Sequence, residues 1–238
     1  MRFGGRNVLV VGGSSGIGLS LVKLLHQQNA CVYVISRSAS DEWPSGVNFL
    51  QADITGNLDG VELFLPQQLH GLVYSVGSIN LKPFNRLSAD DFLNDYQLNV
   101  LGAARVIQHA LKPLKKAETA SIVLISSVAA RAGMAYHASI AAAKGAVEGI
   151  ALSLAAELAP QQIRVNVVAP SLTDTPLAQN LLSTTVKREA SAKRHPLGKI
   201  GQPEDISQMI AFLLSNESGW ITGQVIGVDG GLGKLKTS

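Results

Sequence analysis

Short runs of apolar residues alternate along the chain with longer segments of helical period. Seven of these runs are nearly continuous in Val, Ile and Leu, the composition expected of parallel strands that are covered on both faces. They lie at residues 7–12, 30–36, 47–53, 71–77, 121–126, 163–170 and 224–231. The alternation of strands and helical segments predicts an α/β fold with a doubly wound parallel sheet of about seven strands.

Two of the helical segments carry clear signals. In residues 19–28, Leu21, Leu24 and Leu25 share one face, as in a helix that packs on a sheet. Residues 89–111 form a long helical run, and Ser88 before it is a predicted N-cap.

No internal repeat or linker interrupts this order, so residues 1–238 are expected to form a single domain. Residues 171–200 depart from the pattern because they are rich in Ser, Thr and basic residues. Long excursions at the carboxyl ends of parallel strands usually shape a ligand site. We therefore expect residues 171–200 to be a substrate lid.

Composition narrows the classes of protein. The 238 residues are 46% hydrophobic and 16% charged, enough for one sizeable core. No run reaches the roughly 18 consecutive apolar residues of a membrane span, and no signal-peptide pattern opens the chain. The sequence predicts a cytoplasmic protein without a membrane partner.

Charge and cysteine content argue against two further partners. The net charge is +3, but Lys and Arg do not form the stripes that bind nucleic acid, so no nucleic-acid partner is expected. Cys31 is the one cysteine, and the five histidines lack metal-ligand spacing, so no metal is expected.

A glycine-rich stretch, VGGSSGIG, joins the first strand to the first helix. Glycines at such a turn let the backbone approach phosphate oxygens, which the N–H groups of the following helix N-terminus attract. The stretch predicts a phosphate-binding loop formed by Gly12, Ser14, Ser15, Gly16, Ile17 and Gly18.

The second strand ends at Ser36 and Arg37, where an NAD-binding protein places an acidic residue for the ribose 2′-hydroxyl. An arginine there can clamp a 2′-phosphate, so the sequence favours NADP(H) over NAD(H). The alternative is that Arg37 is a solvated loop residue. Asp53, next to Ile54, either accepts a hydrogen bond from the adenine amino group or caps a turn.

These motifs, with LNVLGA, ISSVAA, AAAKGAVEG, IRVNVVAP, GQPEDIS and ITGQVIGVDGG, cover nearly the whole chain. Together they resemble the classical short-chain dehydrogenases/reductases, in particular the branch similar to ketoacyl-carrier-protein reductases. The resemblance implies a Rossmann-type domain, a nicotinamide dinucleotide, hydride transfer between a carbonyl and an alcohol, and a homodimer or homotetramer. It also implies cofactor contacts from Gly77, Lys144, Pro170, Thr173 and Thr175.

Four residues carry the chemistry in that family: an Asn, a Ser, a Tyr, and a Lys four positions after the Tyr. By resemblance, Asn99, Ser127 and Lys144 match three of them, and Ile140 stands where the Tyr belongs. A phenol has a pKa of about 10, which a neighbouring ammonium lowers, so it can donate a proton to the oxygen that hydride attack charges. Isoleucine has no proton to give.

Three other residues could supply that proton. Tyr136 and His137 lie just upstream of the helix; Tyr136 is the closer chemical substitute, while an imidazole titrates nearer to neutral pH. Tyr74, in the YSVG stretch that replaces the family's NNAG, is the third candidate. Each of the three could instead line the pocket or pack.

Three further features carry expectations. Ser171 follows Pro170 where the family has Gly, and serine rarely adopts positive φ, so the backbone there is expected to differ. The small residues from Ala141 to Gly149 predict a helix packed on a partner subunit or on the sheet. The basic residues of 187–199 either meet an acidic substrate or are solvated.

Two functions remain. One is an NADP(H)-dependent oxidoreductase that acts on a carbonyl or alcohol with Ser127, Lys144, Asn99 and a non-standard proton donor such as Tyr136. The other is a catalytically silent dinucleotide-binding protein, a sensor or assembly subunit.

Overall fold

A sheet of seven parallel strands forms the centre of the molecule. The structure, a computed structural model, describes residues 3–236. The strands are β1 (Asn7–Val11), β2 (Cys31–Ser36), β3 (Asn48–Gln51), β4 (Gly71–Tyr74), β5 (Ala120–Ile125), β6 (Ile163–Pro170) and β7 (Val225–Val228). Their order in the sheet is β3-β2-β1-β4-β5-β6-β7, with every pairing parallel. The predicted doubly wound sheet is confirmed.

Helices cover both faces of this sheet. They are α1 (Gly16–Gln27), α2 (Val61–Phe64), α3 (Ala89–Tyr96), α4 (Gly102–Lys116), α5 (Ala138–Leu158), α6 (Thr185–Lys193) and α7 (Pro203–Leu214). Alternate residues of β1 serve the two faces: Val8 and Val10 pack with α1 and α7, and Leu9 and Val11 with α4 and α5. This double burial explains the continuous apolar runs.

The run predicted as one helix over residues 89–111 is divided. It forms α3, a π-helical turn at Gln97–Leu101, and α4, which continues to Lys116. Ser88 is the N-cap as predicted, and it forms a reciprocal capping box with Asp91. The hydroxyl of Tyr74 donates to the carbonyl of Leu98 over 2.6 Å within the π-helical turn, a contact that the helical period does not reveal.

Helix α5 is unusually apolar. Ala138–Gln161 is the one helical stretch in the described chain that is long and apolar enough to cross a membrane. One side of α5 is instead buried in the core, through Ala143, Val147, Ala151, Ala155 and Leu158. Packing against the sheet accounts for this apolar composition.

Residues 171–200 fold back over the carboxyl ends of the strands. They contain a 3-10 turn at Pro176–Leu182, followed by α6. A parallel bridge between Thr173 and Gly201 joins the two ends of the segment. The segment forms part of the cavity described below.

Candidate active site

The turn between β1 and α1 requires its glycines. Gly12 has φ 83° and Gly16 has φ 52°, in the left-handed region that side chains disfavour. A Cβ on Gly18 would lie 2.1 Å from the carbonyl oxygen of Gly12, so α1 approaches the turn more closely than any side chain allows. These positions hold the N-terminus of α1 against the end of β1.

The N-terminus of α1 faces a cavity of about 670 Å³. Its N-cap residue, Ser15, makes no side-chain capping bond, and the first turn holds no acidic residue. The first N–H groups of a helix lack intrahelical partners and favour an anion. Fourteen of the fifteen predicted cofactor contacts line this cavity: Gly12, Ser14, Ser15, Gly16, Ile17, Ser36, Arg37, Asp53, Ile54, Gly77, Lys144, Pro170, Thr173 and Thr175. Gly18 is buried behind the turn.

The end of β2 supplies a cation at the cavity wall. Arg37 is exposed there, and the hydroxyl of Ser36 donates to the carbonyl of Ser38 over 2.8 Å. Asp53 caps its own turn: its carboxylate accepts from the Thr55 N–H at 2.9 Å and from the Thr55 hydroxyl at 2.7 Å. These bonds, with the charge of Arg37, hold the pKa of Asp53 below its usual value.

Lys144 places a buried ammonium group at the cavity. Its side chain donates from Nζ to the carbonyl of Ile125 at the end of β5 over 2.8 Å, and the residue is only 6% exposed. Burial lowers the pKa of Lys144 to about 8, and the carboxylate of Asp95 partly opposes that shift. A Cβ on Gly77 would lie 3.4 Å from Nζ, so the backbone at Gly77 passes close to the lysine.

Asn99 lies in the π-helical turn, behind Gly77. Its amide donates from Nδ2 to the carbonyl of Asp95 at 2.8 Å and to the Ser78 hydroxyl at 3.2 Å. Its Oδ1 is buried and has no hydrogen-bond partner within the part of the chain that the structure describes. A buried acceptor of this kind is where a water or ligand donor binds.

A buried carboxylate supports this network. Asp95 accepts from the hydroxyls of Ser78 and Ser139, each over 2.6 Å. Ser139 immediately precedes Ile140, so the network ties α3 to the first turn of α5. The sequence offered no signal for Asp95, because an isolated acidic residue in a helix is usually solvated.

Ser127 and Ile140 are wall residues of the cavity. The Ser127 hydroxyl oxygen accepts from the N–H of Ala129 over 3.2 Å and so caps a short 3-10 turn. Among residues 3–236 no acceptor lies within hydrogen-bond distance of its proton. Ile140 lies one turn before Lys144 on α5 and is 5% exposed. The side chain next to the lysine on this face of α5 is therefore apolar.

The structure does not bring Tyr136 to the cavity, against the expectation that it could replace the acid. Tyr136 is 60% exposed, it is not a wall residue, and its φ of 69° belongs to a left-handed turn before α5.

Tyr74 also lies outside the cavity wall: it is buried in the core, where its hydroxyl donates to the carbonyl of Leu98. Burial raises its pKa far above the phenol value. His137 does line the cavity, with Nδ1 2.6 Å from the carbonyl of Ala135.

One pair at the cavity was missed by sequence reasoning. The Ser171 hydroxyl lies 2.8 Å from Nε2 of His195, and both residues are wall residues. Ser171 does not have the positive φ of a glycine position, since non-glycine residues with positive φ among residues 3–236 are Asn29, Tyr136 and Gln162. The sequence showed Ser171 only as a departure from the family, and His195 only as part of a basic lid.

Three other basic residues of the segment 171–200 have partners. Arg188 forms two bonds with the carboxylate of Asp174, at 2.6 and 3.0 Å, and Lys187 donates to the carbonyl of Asn180 at 3.2 Å. Lys199 lies 3.9 Å from Asp205. These contacts favour the solvated alternative over an acidic substrate for Lys187, Arg188 and Lys199, whereas Arg194 lines the cavity.

The residues present fit a nicotinamide dinucleotide. The glycine turn, Arg37 and Lys144 line one cavity. The unpartnered Oδ1 of Asn99 lies close to Gly77, although Asn99 itself is not a wall residue. A fold of this kind with such a site is typical of a dinucleotide-binding protein.

Comparisons with known proteins identify the family. A family model described as Enoyl-(Acyl carrier protein) reductase matches residues 11–233. The chain is 33% identical to 3-oxoacyl-[acyl-carrier-protein] reductase FabG of Thermotoga maritima over 248 residues, 98% of this chain and 99% of the relative. The chain belongs to the classical short-chain dehydrogenase/reductase family, whose members are oxidoreductases acting on carbonyls and alcohols.

Solved structures agree with this assignment. A short-chain type dehydrogenase/reductase from Mycobacterium ulcerans superimposes with a TM-score of 0.89 at 30% identity, over 98% of this chain and 91% of that chain. A tyrosine-to-phenylalanine variant of ElxO with NADPH bound gives a TM-score of 0.86 at 28% identity, over 98% of this chain and 99% of that chain.

Proposed function

We propose that this protein is an NADP(H)-dependent oxidoreductase that interconverts a carbonyl and an alcohol with a proton donor other than the family's tyrosine. The observation that carries the proposal is a single cavity that joins three groups: the phosphate-binding turn, the cation of Arg37, and the pair Ser127 and Lys144. A protein that only bound the nucleotide would not need Ser127 in this cavity.

The preference for NADP(H) rests on the end of β2. Arg37 is exposed at the cavity, and its guanidinium could bind a phosphate with two parallel hydrogen bonds. The Asp53 carboxylate accepts hydrogen bonds from the N–H and the hydroxyl of Thr55. The NADPH bound in the ElxO structure supports the same choice.

Lys144, Ser127 and Asn99 have separate roles in the proposed reaction. When bound, the nicotinamide supplies or accepts the hydride. Lys144, buried and charged below about pH 8, would hold the adjoining ribose hydroxyls. Ser127 would donate a hydrogen bond to the substrate oxygen as negative charge develops there, and Asn99 would hold a water at its unpartnered Oδ1.

Ile140 occupies the place of the family's tyrosine in this proposal. It keeps the wall closed beside Lys144 but donates no proton. Loss of a general acid typically removes a factor of about 10² to 10⁴ in rate, so slow turnover is expected unless another group serves.

We also propose a homodimer or homotetramer formed through α5. Cβ atoms built on Gly145 and Gly149 meet nothing within 4 Å, and Leu152 on the same helix is 63% exposed. Small residues beside an exposed leucine allow a second helix to pack closely.

The experiment compares the native protein with Ile140→Tyr. NADPH and NADH consumption is followed by absorbance with a panel of small ketones, diketones and thioester-linked keto acids. We expect slow turnover by the native protein, faster with NADPH, and a rise of up to about 10²-fold in the variant, because a phenol one turn before Lys144 restores the acid.

Two results would contradict the proposal. Turnover by Ile140→Tyr alone would mean that the native cavity is intact but lacks any donor, which favours the silent dinucleotide-binding protein. A preference for NADH would contradict the role of Arg37.

A further inference from the structure

Ser171 and His195 form a hydrogen-bonded pair across the base of the lid. Ser171 directly follows the last residue of β6, and His195 follows the end of α6. Their Oγ and Nε2 atoms lie 2.8 Å apart, and the imidazole is 4% exposed. The ring packs against Gly230, where a Cβ would lie 3.4 Å from the Cβ of His195.

The other ring nitrogen fixes the tautomer. His195 Nδ1 lies 2.8 Å from the carbonyl oxygen of Ser191, which can only accept, so Nδ1 carries a proton. In the neutral ring, Nε2 therefore accepts from the Ser171 hydroxyl. In the protonated ring, Nε2 donates to Ser171 Oγ, and the hydroxyl proton turns toward the cavity.

Ser171 leaves the sheet at the same edge as Ser127 and lines the same cavity. Ile125 of β5 is paired with Val168 of β6. Ser127 lies two residues beyond Ile125 and Ser171 three residues beyond Val168, so both follow the carboxyl ends of these strands. Neighbouring strands lie about 4.8 Å apart, so the two serines leave adjacent strands at the same edge of the sheet. Both line the cavity that holds Ile140 and Lys144.

We propose that Ser171 is the proton donor that replaces the missing phenol, and that His195 is the residue that positions the Ser171 hydroxyl and returns a proton to it. This inference rests on the proposed function. In reduction, hydride adds to the carbonyl carbon and the C=O π pair moves to oxygen. The Ser171 O–H bond breaks as its proton goes to that oxygen, and the His195 Nε2–H proton passes to Ser171 Oγ. The neutral imidazole is then reprotonated from solvent, and alcohol oxidation runs through the same steps in reverse.

Most charged groups on the elements around His195 form hydrogen bonds with groups other than its imidazole. From the loop after β7, Asp229 accepts from the N–H groups of Gly231 and Gly233, each at 2.9 Å. Arg188 of α6 is paired with Asp174, and Arg194 lines the cavity next to His195. Lys144 lies on α5, across the cavity. None of the hydrogen bonds of Asp229 or Arg188 involves the imidazole.

The test measures kcat against pH in both directions. The protonated ring serves reduction and the neutral ring serves oxidation. As pH rises, kcat for reduction should therefore fall and kcat for oxidation should rise, with one shared inflection. His195→Gln keeps an amide that can bond Ser171 but cannot titrate, so the inflection should vanish. Ser171→Ala should lower kcat about 10²-fold with KM and NADPH affinity within about threefold, and Ser171→Thr should restore much of the rate.

Matched controls separate the candidates. His26→Gln changes a histidine outside the cavity and should behave as native. His137→Gln tests the other histidine of the wall. Loss of the inflection in His137→Gln, or native rates in Ser171→Ala, would overturn the role of the pair while leaving the oxidoreductase intact. No turnover by the native protein would overturn both proposals.

A second readout needs no turnover. Long-range ¹H–¹⁵N NMR spectra, assigned with His195→Gln and compared with Ser171→Ala, report the ring tautomer. We expect Nδ1 protonated, and an Nε2 shift that moves when the Ser171 hydroxyl is removed. An Nε2-protonated neutral ring, or an Nε2 shift unaffected by Ser171→Ala, would contradict the relay. Thermal melting and NADPH fluorescence confirm that each variant folds and binds.

Discussion

Lys144 lines the cavity at a cost to the stability of the fold. Its ammonium is buried and donates a hydrogen bond to the carbonyl of Ile125, and burial lowers its pKa from 10.5 to about 8. Burial of a charged group costs stability whenever the group stays protonated. Lys144 therefore lowers the stability of the fold as long as it stays protonated.

This cost gives a prediction about stability and pH. Below about pH 8 the lysine is charged in the folded and in the unfolded protein. Between pH 8 and 10.5 it stays protonated in the unfolded chain but has lost its proton in the folded one. The unfolded state then binds more protons, so this group makes native stability rise with pH across that window. Without cofactor, Lys144→Met should be about 2–3 kcal/mol more stable than the native protein at pH 7, and less so at about pH 9.5.

Denaturant unfolding of both proteins at the two pH values checks this difference. Lys112→Met, a matched change at an exposed position of α4, should alter stability little at either pH. A Lys144→Met advantage that stays constant or grows between pH 7 and 9.5 would mean that the native lysine is not desolvated in solution.

At the scale of single residues, chemical type and spacing predicted much of the site. The residues quoted from the glycine turn, Ser127 and Lys144 all line the cavity or support it. The position of Tyr136 was not predictable, because a left-handed residue before α5 decides which way the side chain points. The partnership of Ser171 and His195, 24 residues apart, depends on how the lid folds back.

Among the elements, the junction of β1 and α1 is the most tightly constrained. The strand ends at Val11 and the helix begins at Gly16, and Gly18 lies in its first turn against the Gly12 carbonyl. The free N–H groups of α1 can meet a phosphate only if this contact stays close.

We therefore predict that Gly18→Ala damages both folding and binding. A Cβ at 2.1 Å from the Gly12 oxygen forces helix and turn apart, which should cost about 1–3 kcal/mol and lower NADPH affinity at least about tenfold. Calorimetric melting and NADPH titration measure the two effects. Gly133→Ala, where a Cβ meets nothing within 4 Å, is the control; equal behaviour of the two variants would refute the close contact.

The helix that joins β4 to β5 shows the limit of pattern reading. Its apolar period continues across residues 89–111, yet the backbone widens into a π-helical turn at Asn99. The bond from Tyr74 to the Leu98 carbonyl is made between residues 24 apart in sequence, so no local window contains it. Periodicity predicts that a helix exists and misses where tertiary contacts interrupt it.

For the whole molecule, the exposed face of α5 predicts the state of assembly. Leu152 is 63% exposed beside Gly145 and Gly149. Light scattering after gel filtration should give two or four times the chain mass of 25.0 kDa. Leu152→Glu should shift the protein toward the monomer, because a carboxylate in a helix interface is desolvated.

Leu63→Glu is the matched control, since Leu63 is 93% exposed on α2, away from this face. It should leave the assembly unchanged. A native protein that runs as a monomer at micromolar concentration would refute the interface on α5.

The sequence by itself determined the order of strands and helices, the parallel sheet, the phosphate-binding turn and the residue types at the site. These follow from local rules: burial on both faces sets the strand composition, and a turn near phosphate needs glycine. Only the tertiary structure decided that Tyr136 faces outward, that Asn99 keeps an unpartnered oxygen, and that Ser171 meets His195. Those outcomes depend on contacts between segments distant in sequence, whose geometry no local pattern encodes.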